Sequence, residues 1–340
     1  MSACDNAAYL PGTVSELLML ACYVHRKGHL QAVDPGTVAD AKALVWLDLH
    51  SPAAEEQALV EELTGLAIPS LAAMQEIEVS SRLYEDRDAL FMTVPMVSQV
   101  EAGAPVSAPV SFILGRHHLI TLRHTEPKAF KLFVSQAGKV ALVDHRPAGV
   151  FLGLLETIVD RFADILELIS ADADGISAEV FRADELPDER SLEQLLKAIG
   201  RCGDLISKLR ESVASTIRML TWFGHPENGY IREPQIRDRV KTLGRDLASL
   251  GDYSQYQGNK IQFLLDATLG RINIEQTKII KIFSIAAAAF LPPTLIASIY
   301  GMNFDVMPEL HWSFGYPLAI GAMALSAVLP LWYFRRRGWL

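Results

Sequence analysis

Residues 282–303 read IFSIAAAAFLPPTLIASIYGMN, and residues 314–334 read FGYPLAIGAMALSAVLPLWYF. The nineteen positions 282–300 and the twenty-one positions 314–334 hold no Asp, Glu, Lys or Arg. A helix needs about 20 apolar residues to cross about 30 Å of hydrocarbon, so the runs predict spanning helices at about 282–300 and 316–334. A buried helix of a large soluble core would explain either run alone, but not two of spanning length side by side. Half of the 340 residues are hydrophobic and 21% are charged, and the mean hydropathy is positive, which excludes a disordered or low-complexity chain. Outside the two runs, residues 1–281 are charge-rich and read as soluble.

The flanks set the orientation. Lys278 and Lys281 precede the first run and Arg335, Arg336 and Arg337 follow the second, whereas the loop Gly301–Ser313 carries only Asp305 and Glu309. Lys and Arg stay on the cytoplasmic side, so both termini are expected in the cytoplasm and the loop 301–315 outside. Trp312, Tyr316, Trp332 and Tyr333 fall at the expected interfaces, where aromatic rings anchor a span. Two helices cannot enclose a pathway, so conduction would require several copies around one axis; anchoring a cytoplasmic protein would require only the two.

The net charge is −9 for the whole chain; residues 282–340 contribute +1, leaving −10 on residues 1–281. Binding to nucleic acid needs a surplus of Lys and Arg to neutralise phosphates, so no nucleic-acid partner is expected. Cys4, Cys22 and Cys202 are too few and too scattered for a disulfide framework or a zinc site. Leu17–Val24 is too short and too polar to read as a signal peptide.

The soluble part divides at about residue 149. Strand-like runs at Leu44–Leu49, Leu90–Val97, Val110–Leu114 and His118–Leu122, with a turn at Gly115-Arg116-His117, alternate with helical stretches at Ala53–Gly65 and Pro69–Glu78. Residues 1–148 therefore read as a mixed α/β cytoplasmic domain. Residues 149–281 read as long helices. Phe151, Leu155, Ile158, Phe162, Ile165 and Ile169 share one helical face, Leu186-Pro187-Asp188 marks a break, and a second helix runs from Ser191 to about Trp222. After the loop Gly224–Gly229 a third begins near Pro234 and meets no proline until Pro292. It could run unbroken from cytoplasm into membrane, some 60 residues or roughly 90 Å. Gly244, Gly251 and Gly258 recur every seven residues along it. They mark either a close approach of another helix or a weakened segment, since each costs a helix about 1 kcal/mol relative to alanine.

Signatures of chemistry are sparse. His118 and His124 would share a strand face, and His25 and His29 flank Lys27 in an apparent loop, but no Cys or carboxylate stands at a ligand-like interval. No phosphate-cradling glycine loop, Gly-x-Ser-x-Gly elbow or HExxH is present, so no enzyme and no organic cofactor are expected. Neither span holds an ionisable group that could relay protons, which argues against a proton-coupled carrier.

The loop between the spans is specific. Gly301-Met302-Asn303 closes the first span, Met307-Pro308-Glu309-Leu310 follows, and Trp312-Ser313-Phe314-Gly315-Tyr316-Pro317 enters the second, which ends in a basic tail with Trp339-Leu340. In this pattern, over about residues 259–340, the chain resembles the CorA-type magnesium channels. The resemblance implies an α/β cytoplasmic domain, long helices and a two-span membrane domain assembled as a homopentameric, funnel-shaped channel in the inner membrane. It further implies uptake of Mg²⁺, with Co²⁺ and Ni²⁺ as accompanying substrates, and closure by intracellular Mg²⁺ bound between cytoplasmic domains. The closest rival is a ZntB-like zinc transporter of the same superfamily, whose members tend to vary the Gly-Met-Asn triplet. A non-conducting, membrane-anchored cytoplasmic protein is the rival from another class.

Chemistry and resemblance meet at Asn303. Mg²⁺ dehydrates reluctantly, so an opening for it should offer neutral oxygens to the hydrated ion, as a ring of Asn303 amides would. Gly301 would let the backbone approach the axis; a plain turn would also explain Gly and Asn, though not the rest of the pattern. Down the helix from Asn303, one stripe carries Ser298, Thr294, Leu291, Ala287, Phe283, Ile280 and Thr277, then Asn273, Gly270 and Asp266. By the resemblance this stripe lines the pore: Leu291 to Ile280 would be a hydrophobic constriction able to gate by dewetting, and Asp266 would hold cations at the cytoplasmic mouth. Lipid-facing or helix-packing residues are the other reading of the same stripe. A bend is expected near Thr294, after Pro292-Pro293. Asp305 and Glu309 should raise the cation concentration outside. Asp172, Asp174, Asp184, Glu185 and Asp252 are the acidic candidates for regulatory ligands.

Overall fold

The computed structural model describes residues 20–26, 29–34, 43–137, 146–182, 189–230, 233–303, 307–308 and 312–339. The chain divides into two compact units. One comprises Met1–Asp184 and Lys197–Leu264, the other Glu185–Leu196 and Leu265–Leu340.

In the first unit, seven strands form one sheet: β1 (Leu20–Arg26), β2 (His29–Val33), β3 (Leu44–His50), β4 (Leu83–Asp86), β5 (Ala89–Ser98), β6 (Val106–Leu114) and β7 (Leu119–Arg123). Their order is β2-β1-β3-β7-β6-β5-β4. Only β3 and β7 pair in parallel, Trp46 opposite Leu119 and His50 opposite Arg123; the other described pairs are antiparallel. Side chains alternate across the sheet. On one face Leu47, Leu49, Ile113, Ile120 and Leu122 are buried with Val60, Leu66 and Met74, from α1 (Ala54–Thr64), the turn after it and α2 (Leu71–Met74). On the other, Trp46 and Phe112 meet the rings of Phe133, Phe130 and Phe151, from α4 (Lys128–Ala137) and α5 (Pro147–Val180). The α/β expectation is met as a sheet covered on both sides.

Two local expectations are corrected. His25 and His29 do not sit in a loop; they belong to β1 and β2, with His25 opposite Leu30 and Arg26 opposite His29. The polar ends of this hairpin hide its strand character, which rests on buried Leu20, Cys22, Val24 and Leu30. The helix expected over Pro69–Glu78 shrinks to α2, capped by Ser70, whose Oγ accepts from the Ala73 N–H. Of that segment only Met74 is buried, and Ile77 is 86% exposed, so no apolar face sustains a longer helix; α3 (Val79–Arg82) forms separately.

The long helices agree with their periodicity. All six residues of the Phe151–Ile169 stripe of α5 are buried. α6 (Glu189–Phe223) is followed by a 3₁₀ turn, Pro226–Asn228, and α7 (Pro234–Tyr300) runs for 67 residues with Pro292 and Pro293 inside it. The break expected at Leu186-Pro187-Asp188 lies outside the described residues.

The structure decides the glycine question. A β-carbon on Gly244 would meet Leu220 at 3.9 Å, on Gly251 Ile217 at 3.7 Å, and on Gly258 Arg210 at 3.4 Å. All three neighbours are on α6 and descend as the glycines ascend, so the glycines face an antiparallel helix in unbroken α7. In the second unit, α7 continues and α8 (Gly315–Arg336) follows. Both are long and apolar enough to cross a membrane.

Candidate functional site

The end of α7 is built by Gly301. Its N–H donates to Ala297 O at 2.9 Å, and Met302 N–H donates to Ile299 O at 3.3 Å. A β-carbon on Gly301 would lie 3.1 Å from Ala297 O, so the chain closes over the last turn where a side chain would crowd it. Met302 and Asn303 follow, both exposed. Asp305 and Glu309 lie outside the described residues, as do Asp184 and Glu185.

Below Asn303 most of the helix surface is exposed in a single chain. Ser298, Thr294, Leu291, Ala287, Phe283, Ile280, Thr277, Asn273, Gly270 and Asp266 are all exposed, Leu291 by 65% and Phe283 by 71%. Ile285 and Ala289 are buried, at 7% and 9%, and Pro292, Pro293, Ile296 and Tyr300 are half-buried. At about 100° per residue these sets occupy opposite sides of α7. The sequence-derived stripe lies within a broad surface that a single chain leaves uncovered, which also carries Ile282, Phe290 and Leu295, 65%, 71% and 61% exposed.

The hydroxyls on that face are oriented by their own helix. Thr294 Oγ1 donates to Phe290 O and Leu291 O at 3.0 and 2.9 Å, and Thr277 Oγ1 donates to Asn273 O at 2.7 Å. A hydroxyl whose proton is used in this way offers only lone pairs outward. Thr294 and Thr277 therefore present oxygen acceptors, with the apolar Leu291, Ala287, Phe283 and Ile280 between them. Pro292 and Pro293 supply no N–H to the preceding turn, and helix α7 continues through them.

Cation candidates in the first unit are less concentrated. Asp174 accepts from Lys260 Nζ at 2.6 Å. Asp172 lines a cavity of about 850 Å³ with Cys202, Leu168 and Ile176, and its charge, after burial, helps push the Cys202 thiol up. Asp252 is exposed. Sequence reasoning missed Asp160, whose carboxyl is pushed above its ordinary range by burial first, then by Glu156, Asp164 and Asp246. The i, i+4, i+8 spacing of the three α5 acids was a signal; Asp246, on α7, was not. Among the described residues no three His, Cys, Asp or Glu side chains gather as a metal-binding group. His118 Nδ1 lies 2.6 Å from Leu44 O, and burial lowers the pKa of both His118 and His124. The two histidines bracket β7, roughly 20 Å apart at strand rise, and form no pair.

Comparison with known proteins agrees with this architecture. The family model described as CorA-like Mg²⁺ transporter protein matches residues 41–336. A protein of Pasteurella multocida named Magnesium transport protein CorA is 33% identical over 326 residues, covering 95% of this chain and all of the relative. One of the same name from Haemophilus influenzae is 35% identical over 305 residues, covering 88% of this chain and 94% of the relative. The complete structure of the CorA magnesium transporter from Methanocaldococcus jannaschii superposes with a TM-score of 0.73 at 20% identity, covering 95% of this chain and 99% of that one.

Proposed function

Because the chain belongs to the CorA-like Mg²⁺ transporter family, we propose that it is a passive, membrane-potential-driven channel for Mg²⁺ uptake that also passes Co²⁺ and Ni²⁺. In this reading it is a homopentamer in the inner membrane with both termini in the cytoplasm. The observation that carries the reading is the uncovered face of α7: acceptor oxygens at Asn303, Ser298 and Thr294, an apolar stretch from Leu291 to Ile280, then Thr277 and Asp266. Several copies turning this face to a shared axis would enclose a path that one chain cannot. Gly301, Met302 and Asn303 form its mouth, where amide oxygens meet the hydrated ion without stripping it. Asp305 and Glu309, repeated around the axis, raise the cation concentration there. The apolar stretch is the gate.

A divalent ion moving toward a negative interior gains about 4.6 kcal/mol per 100 mV, so no coupled ion is needed. The stop signal is intracellular Mg²⁺. Since no metal-binding group gathers among the described residues of one chain, the regulatory ion draws carboxylates from adjacent copies, where unliganded acidic surfaces repel and a bound cation clamps them.

The test is Mg²⁺ influx into liposomes holding the purified protein, an internal dye and an inside-negative potential. Wild type should fill the vesicles, and Asn303→Ala should fall to the leak of empty liposomes. Folded, oligomeric wild type that admits no Mg²⁺ would sink the channel reading. Undiminished influx through Asn303→Ala would remove Asn303 from the path.

A further inference from the structure

The chain leaves α8 through a defined reversal. Gly338, at φ +69°, donates its N–H to Arg335 O at 3.2 Å, and Trp339 N–H donates to Phe334 O at 3.0 Å. These are the two hydrogen bonds of a Schellman motif, and its usual apolar contact is present as well. The rings of Trp339 and Phe334 stack, centroids 5.2 Å apart. The folded-back indole receives the ammonium of Lys281 from α7 at 5.5 Å. Two further cations lie over rings of the last turns: Arg336 over Trp332 at 5.5 Å and Arg337 over Tyr333 at 5.6 Å.

Three cations are thus spread over three exposed aromatic faces at one end of the second span. Among the described residues, none of the three forms an ion pair with a carboxylate, whereas Lys278, one turn before Lys281, meets Glu275 at 3.5 Å. A cation resting on an aromatic face keeps its charge and most of its donors. Trp and Tyr sit at the headgroup level of a bilayer, so these donors are held where lipid phosphodiesters lie.

We propose that Lys281, Arg336 and Arg337, set on Trp339, Trp332 and Tyr333, form a binding collar for anionic phospholipid headgroups in the adjoining leaflet. In the orientation proposed above, on which this rests, that is the cytoplasmic leaflet. Because Lys281 belongs to α7, a lipid bound there touches the helix that leads to Asn303.

The test uses the full chain in bilayers of phosphatidylcholine with a trace of spin-labelled phosphatidylglycerol or spin-labelled phosphatidylcholine. The motionally restricted fraction gives the relative association of the two lipids. Wild type should prefer phosphatidylglycerol several-fold, up to roughly fivefold per cation engaged. Lys281→Gln/Arg336→Gln/Arg337→Gln should bring the ratio to about one, and Lys281→Arg/Arg336→Lys/Arg337→Lys should retain the preference. A ratio near one in wild type, or an unchanged ratio in the neutral variant, overturns the collar. Millimolar inorganic phosphate, matched with chloride for ionic strength, should leave the preference intact; specific displacement by phosphate would mean a soluble-anion site and overturn the lipid assignment. Mg²⁺ influx read in the same vesicles keeps the two readings apart. Preference without influx defeats the channel alone, and influx without preference defeats the collar alone.

Discussion

Asp48 and Arg123 meet inside the sheet, 5% and 7% exposed. Arg123 donates from Nη2 to Asp48 Oδ2 at 2.9 Å and from Nε to Oδ1 at 3.2 Å. Thr121 Oγ1 donates to Oδ1 at 2.6 Å, and itself accepts from Trp46 Nε1 at 2.9 Å. The guanidinium also lies 4.9 Å from the ring centre of Phe130. Removing one partner of such a pair strands a buried charge and costs about 3–5 kcal/mol, whereas an apolar replacement of both is often neutral. Arg123→Met should therefore lower the melting temperature of the first unit by about 10 °C, and adding Asp48→Leu should recover most of the loss. Near-ultraviolet circular dichroism of the full chain in detergent would follow it through the stacked Tyr23 and Trp46 rings. A single variant that melts with wild type would show the pair to be dispensable. The sequence holds no sign of this contact, because neither a lone Asp in an apolar run nor an Arg at a strand end announces its partner. Asn303 is the opposite case: the role proposed for it rests on neighbours within a few positions, which a sequence displays directly.

Elements became legible where their own period set them. α5 carries its stripe through 34 residues and was readable from spacing alone, as were the apolar runs of α7 and α8. β1 and β2 were missed because their ends are His and Arg, and α4 was missed although Ala129, Phe130, Phe133 and Ala137 recur at helical spacing over its ten residues. The heptad glycines of α7 could mean approach or weakness until α6 was seen against them. Their distances now yield a prediction. Since β-carbons on Gly244 and Gly251 would meet α6 side chains at ordinary van der Waals range, Gly244→Ala and Gly251→Ala should each stabilise the protein by about 0.5–1 kcal/mol through lower chain entropy in the unfolded state. Thermal melting of the full chain would show a small rise for each. A fall would mean that the helices need a closer approach than an alanine allows.

At the scale of the whole molecule, charge and synthesis both matter. The −10 carried by residues 1–281 is multiplied in an oligomer, and the proposed role for intracellular Mg²⁺ is to relieve that repulsion between copies. Limited trypsin digestion of the purified protein should accordingly slow when millimolar Mg²⁺ is present and quicken when it is chelated. Equal cleavage in both conditions would count against metal-clamped cytoplasmic interfaces.

The parallel pairing of β3 with β7 also imposes a schedule on the ribosome. Asp48 and Arg123 stand 75 residues apart, and everything from α1 to β6 is translated between them. At about 5–20 residues per second, β3 spends on the order of 4–15 seconds with its inner edge bare while β1 and β2 already flank its other side. An open apolar edge is a template for wrong partners, including the same segment of a nascent chain on a neighbouring ribosome. The interval in which this protein is most exposed to misassembly therefore comes before either membrane span has been made.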